Sequence, residues 1–165
     1  MTQVISDLAF YTADTPNGQK VSIFLKEAGL VYEQFDLDLG KGDQYRPDFL
    51  KINPIGNIPA IVDRPTGLRS LESGAILSWL SSKTGCLMPA TEAENVAVQQ
   101  WLFFQVGSIG PMLGQLWWFL HGAKTVNDEA IARYQAQSLR LYQVVDTRLS
   151  KSAFLAGENY SIADI

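Results

Sequence analysis

Cysteine and histidine are nearly missing from this chain, which has one of each, Cys86 and His121. A single thiol excludes an intramolecular disulfide and fits a reducing compartment. His121 has no cysteine or carboxylate at ligand spacing, so no metal site is expected. No apolar run approaches the ~20 residues that a membrane-spanning helix needs. Positive charge is also short: 13 Lys and Arg against 17 Asp and Glu leave a net charge of −4. There is thus no electrostatic case for nucleic acid or an anionic membrane surface. The opening MTQVISDLAF has neither the basic flank nor the long apolar stretch of a signal peptide. These absences set the expectation of a soluble cytoplasmic protein without metal.

What is present is enough for a real core. At 165 residues and 47% hydrophobic the chain can form one domain or two small ones. Leu8 to Tyr11 reads as a short strand, followed by a turn and then a helix from Gly18 with Val21, Phe24, Leu25 and Ala28 at helical spacing. Asn17 is suited to cap that helix and Gly29 to close it. VYEQFDLDL (31–39) reads as a second strand, and GKGDQYRPDFLKINPIGN (40–57) as a loop with a short helix near Pro47 to Lys51. IPAIVD (58–63) and LRSL (68–71) read as strands joined by the hairpin signal RPTG. Glu72 to Thr84 is helical, with Ala75, Ile76, Trp79 and Leu80 in phase and Gly85 as the stop. Residues 1–85 therefore read β-α-β-α-β-β-α, an α/β domain. A linker near 86–91 leads to an all-α domain over 92–165, with two long helical patterns at 92–121 and 127–150. Leu139, Leu141, Tyr142, Val145 and Leu149 give the second an apolar stripe.

Three places carry chemistry. In NIPAIVD, Pro59 enters a strand that should be central, where a missing amide donor is unwelcome. It is either a plain strand-start proline or part of a cis Ile58–Pro59 bond that would turn the Ile58 N–H and C=O toward an extended peptide ligand. In RSLESGAIL, Glu72 and Ser73 sit where a strand becomes a helix. Glu72 is read on its own as an acidic residue near the positive end of the dipole. Alternatively, Ser73 and the free amides of the first turn hold a carboxylate while Glu72 holds an ammonium group. A carboxylate and an ammonium on one carbon describe an amino acid head group, and with an extended backbone at Ile58 the ligand that fits is glutathione. In the turn TPNG, Thr15 and Asn17 are either a cap and a turn or donors to a sulfur anion.

The segments TPNGQKVSIFLKEAGL, GKGDQYRPDFLKINP, IPAIVD, ESGAILSWL, QWLFFQVGSIGPMLGQ, RYQAQSLRLY and GENYSIADI together resemble glutathione transferases, and most nearly the Nu class of bacterial disulfide-bond reductases, relatives of the yeast prion regulator of nitrogen catabolism. ESGAIL with IPAI is specific to the superfamily; TPNG with GKGDQYRP narrows the subgroup. The resemblance implies a thioredoxin-like N-terminal domain and a helical C-terminal domain, of which only part is present, since SIADI looks like the capping box that opens a further helix. It implies a homodimer that uses glutathione or glutathione disulfide as co-substrate and reduces small-molecule or protein disulfides, with peroxidase or conjugating activity as a further possibility. Thr15 and Asn17 would lie beside the ligand sulfur. Gln44, Ile58, Pro59, Glu72 and Ser73 would bind the rest of glutathione, and Arg133 would reach the site of the neighbouring subunit. Trp117 and Trp118 are read either as core or dimer packing or as a wall for the second substrate. They stand where close relatives often carry polar residues or histidine, and Asn57 stands where lysine is frequent. Tyr11 is read as a strand residue rather than an activating phenol, and Cys86 as a structural thiol. The rival reading is a non-catalytic glutathione-fold binding or regulatory module.

Overall fold

The computed structural model describes residues 6–165. The first five residues of MTQVISDLAF, read above as carrying no leader, lie outside them. The chain divides into two units, one running to Cys86 and grouped with Ile165, the other Leu87–Asp164.

In the first unit β1 (Leu8–Thr12), α1 (Pro16–Glu27), β2 (Tyr32–Asp36), α2 (Pro47–Leu50), β3 (Ala60–Asp63), β4 (Leu68–Leu71) and α3 (Ser73–Thr84) follow in order. The sheet runs β2-β1-β3-β4. β1 and β2 are parallel, joined by the crossover helix α1, while β3 is antiparallel to both β1 and β4. This is the thioredoxin-like arrangement that the sequence implied. Val21, Phe24 and Leu25 recur at helical spacing on α1 and are fully buried, as are Phe10 and Ile61 of the sheet and Ile76, Leu77 and Leu80 of α3. Each such side chain contributes about 1.5–3 kcal/mol when removed from water. On α3 the buried stripe therefore includes Leu77, while Ala75 is exposed. Gly85 ends α3 at φ 73°, a left-handed cap that a side chain would strain.

The N-terminus of α1 differs from the expectation. The helix begins at Pro16, not Gly18, and Thr15 rather than Asn17 is the cap, with φ −139° and ψ 157°. Its Oγ1 accepts the Gly18 amide at 3.2 Å. Proline explains the shift, because its fixed φ and missing N–H suit the first helical position.

The second unit is helical, as expected, but its first long pattern is interrupted. α4 (Glu92–Phe104) passes into a π-helical turn at Gln105–Ile109 before α5 (Gly110–His121). Pro111 supplies the cause: it cannot donate to the turn before it, and its ring crowds the carbonyl of Gly107. α4 opens on a full capping box between Thr91 and Glu94, and α6 (Asp128–Leu149) on an Asn127 cap. The expected stripe on α6 is not buried as one face. Leu141 is buried, whereas Leu139, Tyr142 and Leu149 are exposed. Leu139 and Leu141, two residues apart, point about 200° from each other around the axis. In SIADI, the Asp164 carboxylate accepts from Ser161 N at 3.0 Å, one half of the expected capping box, and from Ser161 Oγ at 3.1 Å. Ser161 Oγ accepts from Ala163 N at 3.3 Å, while the Asp164 amide donates to the Ser161 carbonyl at 3.1 Å.

Candidate functional site

The strand register brings three distant segments to one end of the sheet. Tyr11 pairs with Ala60, and Ala60 pairs with Leu71. One step beyond, Thr12 runs into the TPNG turn, Pro59 and Ile58 precede β3, and Glu72 and Ser73 follow β4. The Ile58–Pro59 peptide bond is cis. Ile58 lies just outside the ladder, which begins at Ala60. The loop ahead of it is held by buried Asn53, which donates to the Asn57 carbonyl at 2.7 Å and accepts from Ile55 N at 3.0 Å.

The turn is fixed by packing. A Cβ at Gly18 would collide with Thr12 Oγ1 and come within 2.5 Å of the Ala13 carbonyl oxygen, so only glycine lets the first turn of α1 approach this closely. Thr15 Oγ1 uses a lone pair on the Gly18 amide, which leaves its own proton to donate elsewhere. Asn17 lies in the first turn with an exposed side chain. Its Oδ1 accepts from Lys20 Nζ at 2.9 Å. The same ammonium is 3.5 Å from Ser73 Oγ, 53 residues away in sequence. Lys20 thus ties the turn to the start of α3. Only 9% of it is exposed, and burial pushes its pKa down to about 8.

That depression has a consequence for stability. Above pH about 8 the folded chain releases this proton, while the unfolded chain keeps it to about 10.4. Between those values the unfolded state binds more protons, so this group makes stability rise with pH. Below them the buried charge destabilises in full. In denaturant unfolding, Lys20→Met is expected to be more stable than wild type at neutral pH, with the gap narrowing from about pH 8 to about 10. A constant gap would contradict the depressed pKa.

At the start of α3, Glu72 adopts φ 70° and ψ 117°, a conformation that non-glycine residues hold at a cost of about 1–3 kcal/mol. Its carboxylate makes no capping bond to the helix and is exposed, while Ser73 is buried. Gln44 sits in the 3-10 turn Asp43–Tyr45. Its Oε1 is buried without a hydrogen-bond partner among the described residues, an acceptor left for a donor. A side chain at Gly56 would meet the Tyr45 ring at 3.0 Å and the Gln44 carbonyl at 3.3 Å. That contact sets the Gln44 turn beside the loop leading to Ile58.

Other candidates belong to other elements. Tyr11 stacks on Phe35 with ring centroids 4.7 Å apart, and burial, its largest influence, raises its pKa. It lines a cavity of about 240 Å³ at the β2 edge with Phe35, Leu37, Arg46, Phe49 and Ile52, whose walls include none of Thr15, Asn17, Ile58, Glu72 or Ser73. Cys86 is half-buried just past the end of α3. Arg133 lies exposed on α6 in the second unit. Trp117 and Trp118 lie exposed on α5 there, so neither belongs to a core. Among the described residues no cluster of His, Cys, Asp and Glu forms a metal site, and no helix is long and apolar enough to cross a membrane. Sequence reasoning missed Lys20 and Asn53. The signal for Lys20 was its place three residues after Asn17, on the flank of the apolar positions Val21 and Phe24.

Two helix N-termini and a buried ammonium are gathered at one end of the sheet, an arrangement suited to anionic groups. Known proteins share this frame. The N-terminal domain of glutathione S-transferases matches residues 6–82, and their C-terminal domain matches residues 109–165. The chain belongs to the glutathione S-transferase family. It is 51% identical over 160 residues to the disulfide-bond oxidoreductase YfcG of Escherichia coli, covering 94% of this chain and 74% of that protein. A glutathione transferase from Burkholderia graminis, solved with two glutathione molecules per subunit, superposes with a TM-score of 0.92 at 44% identity, covering 96% of this chain and 69% of that one. One from Pseudomonas putida, solved with one glutathione disulfide per subunit, gives 0.91 at 41% identity, covering 96% and 71%.

Proposed function

We propose that the protein is a glutathione-dependent disulfide-bond reductase. The observation that carries this reading is the turn Thr15–Gly18, which offers a hydroxyl and an amide at a helix N-terminus and contains no thiol. The similarity to a disulfide-bond oxidoreductase and to proteins that bind glutathione or its disulfide supports it.

Disulfide exchange needs a thiolate, and a free thiol with pKa near ~8.5 supplies little at neutral pH. Hydrogen bonds from Thr15 and Asn17, aided by the α1 dipole, lower the pKa of a glutathione thiol placed there. The thiolate attacks one sulfur of the substrate disulfide, forming a mixed disulfide and expelling the other sulfur as a thiolate, which takes up a proton. A second glutathione thiolate attacks the mixed disulfide, giving glutathione disulfide and the second product thiol. Two glutathiones thus lose two protons and two electrons to one disulfide, and no protein thiol is consumed. Glu72 holds the ligand's ammonium, Ser73 and the α3 amides its γ-glutamyl carboxylate, and Ile58 its cysteinyl backbone. Pro59 shapes that segment, and Gln44 Oε1 accepts from the ligand.

The active form is a cytoplasmic homodimer in which Arg133 reaches the partner's ligand and Trp117 and Trp118 face the second substrate. The test is turnover of hydroxyethyl disulfide with glutathione, run beside sedimentation. Turnover by a dimer is the expected result. Glutathione binding without turnover would instead favour a regulatory module, and a fully active monomer would remove Arg133 from the mechanism.

A further inference from the structure

We infer that Lys20 is a positioning residue that sets the hydrogen-bond polarity of the site, so that Asn17 turns its amide N–H, and Ser73 its hydroxyl proton, toward the ligand. The inference deepens the glutathione reading above and rests on it.

An ammonium group has three donors and no acceptor. With Lys20 Nζ 2.9 Å from Asn17 Oδ1, the Asn17 amide is held with its oxygen inward, and the Nδ2 donor is turned to the open side. Reversing the amide would set Nδ2 against the ammonium, donor to donor. Ser73 is constrained in the same way. With the ammonium 3.5 Å from its Oγ, an O–H turned inward would meet it donor to donor, so the hydroxyl proton is directed elsewhere. Both groups are within reach of the same ammonium, and in the proposed pose they face the thiolate and the γ-glutamyl α-carboxylate of the ligand, both acceptors. One buried cation therefore matches the site to two anions. An apolar residue at this position would let the Asn17 amide reverse and offer Oδ1, with its partial negative charge, to the sulfur. Keeping a charge buried at this point on α1 costs stability, as its depressed pKa reflects.

The experiment compares wild type, Lys20→Met, Asn17→Ala and the double variant. It uses the ultraviolet absorbance of bound glutathione thiolate, kcat/KM for hydroxyethyl disulfide, and affinity for S-methylglutathione, which keeps the carboxylate but has no thiol. Lys20→Met is expected to show about tenfold less bound thiolate at neutral pH and about tenfold lower kcat/KM. S-methylglutathione affinity should fall about threefold through Ser73. Because Lys20 acts on sulfur through Asn17, the double variant should lose no more thiolate than Asn17→Ala alone. Losses that multiply would mean that Lys20 acts by its own charge, and would overturn the positioning role. Full thiolate and turnover in Lys20→Met, with Asn17→Ala impaired, would overturn the inference and leave the function standing. Absence of bound thiolate in wild type would defeat the function and the inference together. Lys20→Gln, which keeps one donor but can also accept, is the second variant: it should fall between wild type and Lys20→Met, and behaviour identical to wild type would count against the inference.

Discussion

Thr15→Ala is expected to lose about 10- to 100-fold in the rate of disulfide reduction, equivalent to ~1.4–2.7 kcal/mol of thiolate stabilisation. Cys86→Ser is expected to keep nearly all of it. The geometry separates the two. Thr15 sits in the turn, with its hydroxyl proton unused by the cap bond to Gly18. Cys86 lies beyond the far end of α3, a helix of 12 residues that begins at Ser73 and is about 18 Å long at 1.5 Å per residue. Because Thr15 is also the α1 cap, its loss costs roughly 0.5–2 kcal/mol of stability. Rates must therefore be compared at matched folded fraction, where a purely structural effect vanishes and a lost sulfur donor does not. Should Cys86→Ser abolish turnover while Thr15→Ala leaves it intact, the ligand does not bring the thiol and the mechanism is wrong.

The first unit was legible because turn chemistry bounds its elements. RPTG separates two short apolar runs, and the structure pairs those runs from Ala60↔Leu71 to Asp63↔Leu68. The cap of α1 was not, since Thr15 and Asn17 are both good caps and only Pro16 between them decides. The break at Gln105–Ile109 was hidden because apolar residues continue on both sides of it, although Pro111 carries the signal. Lys20 was invisible for a different reason. A lysine in a helix normally reads as a solvated face, and its burial comes from contact with Ser73, 53 positions away. Residues that bind at the ends of strands and helices announce themselves by type and place. A residue that acts by holding two of them needs the tertiary structure to be seen.

Glu72 is such an end-of-element residue, and it combines strain with a carboxylate that no hydrogen bond of its own helix occupies. Replacing it by alanine should weaken glutathione binding about 10- to 100-fold, or ~1.4–2.7 kcal/mol, because the ligand's ammonium loses a charged partner. Strain gives a second, independent reading. At φ 70°, alanine retains the Cβ penalty of roughly 1–2 kcal/mol and glycine does not. Glycine's greater freedom in the unfolded chain offsets part of this, by about 0.4–1 kcal/mol. Glu72→Gly should therefore be at least as stable as Glu72→Ala in denaturant unfolding, while binding glutathione equally poorly by calorimetry. Equal loss of affinity with a difference in stability shows that the carboxylate serves the ligand and the backbone serves its placement. Unchanged affinity in both variants would remove Glu72 from the site, and with it the amino acid head-group reading of α3's N-terminus.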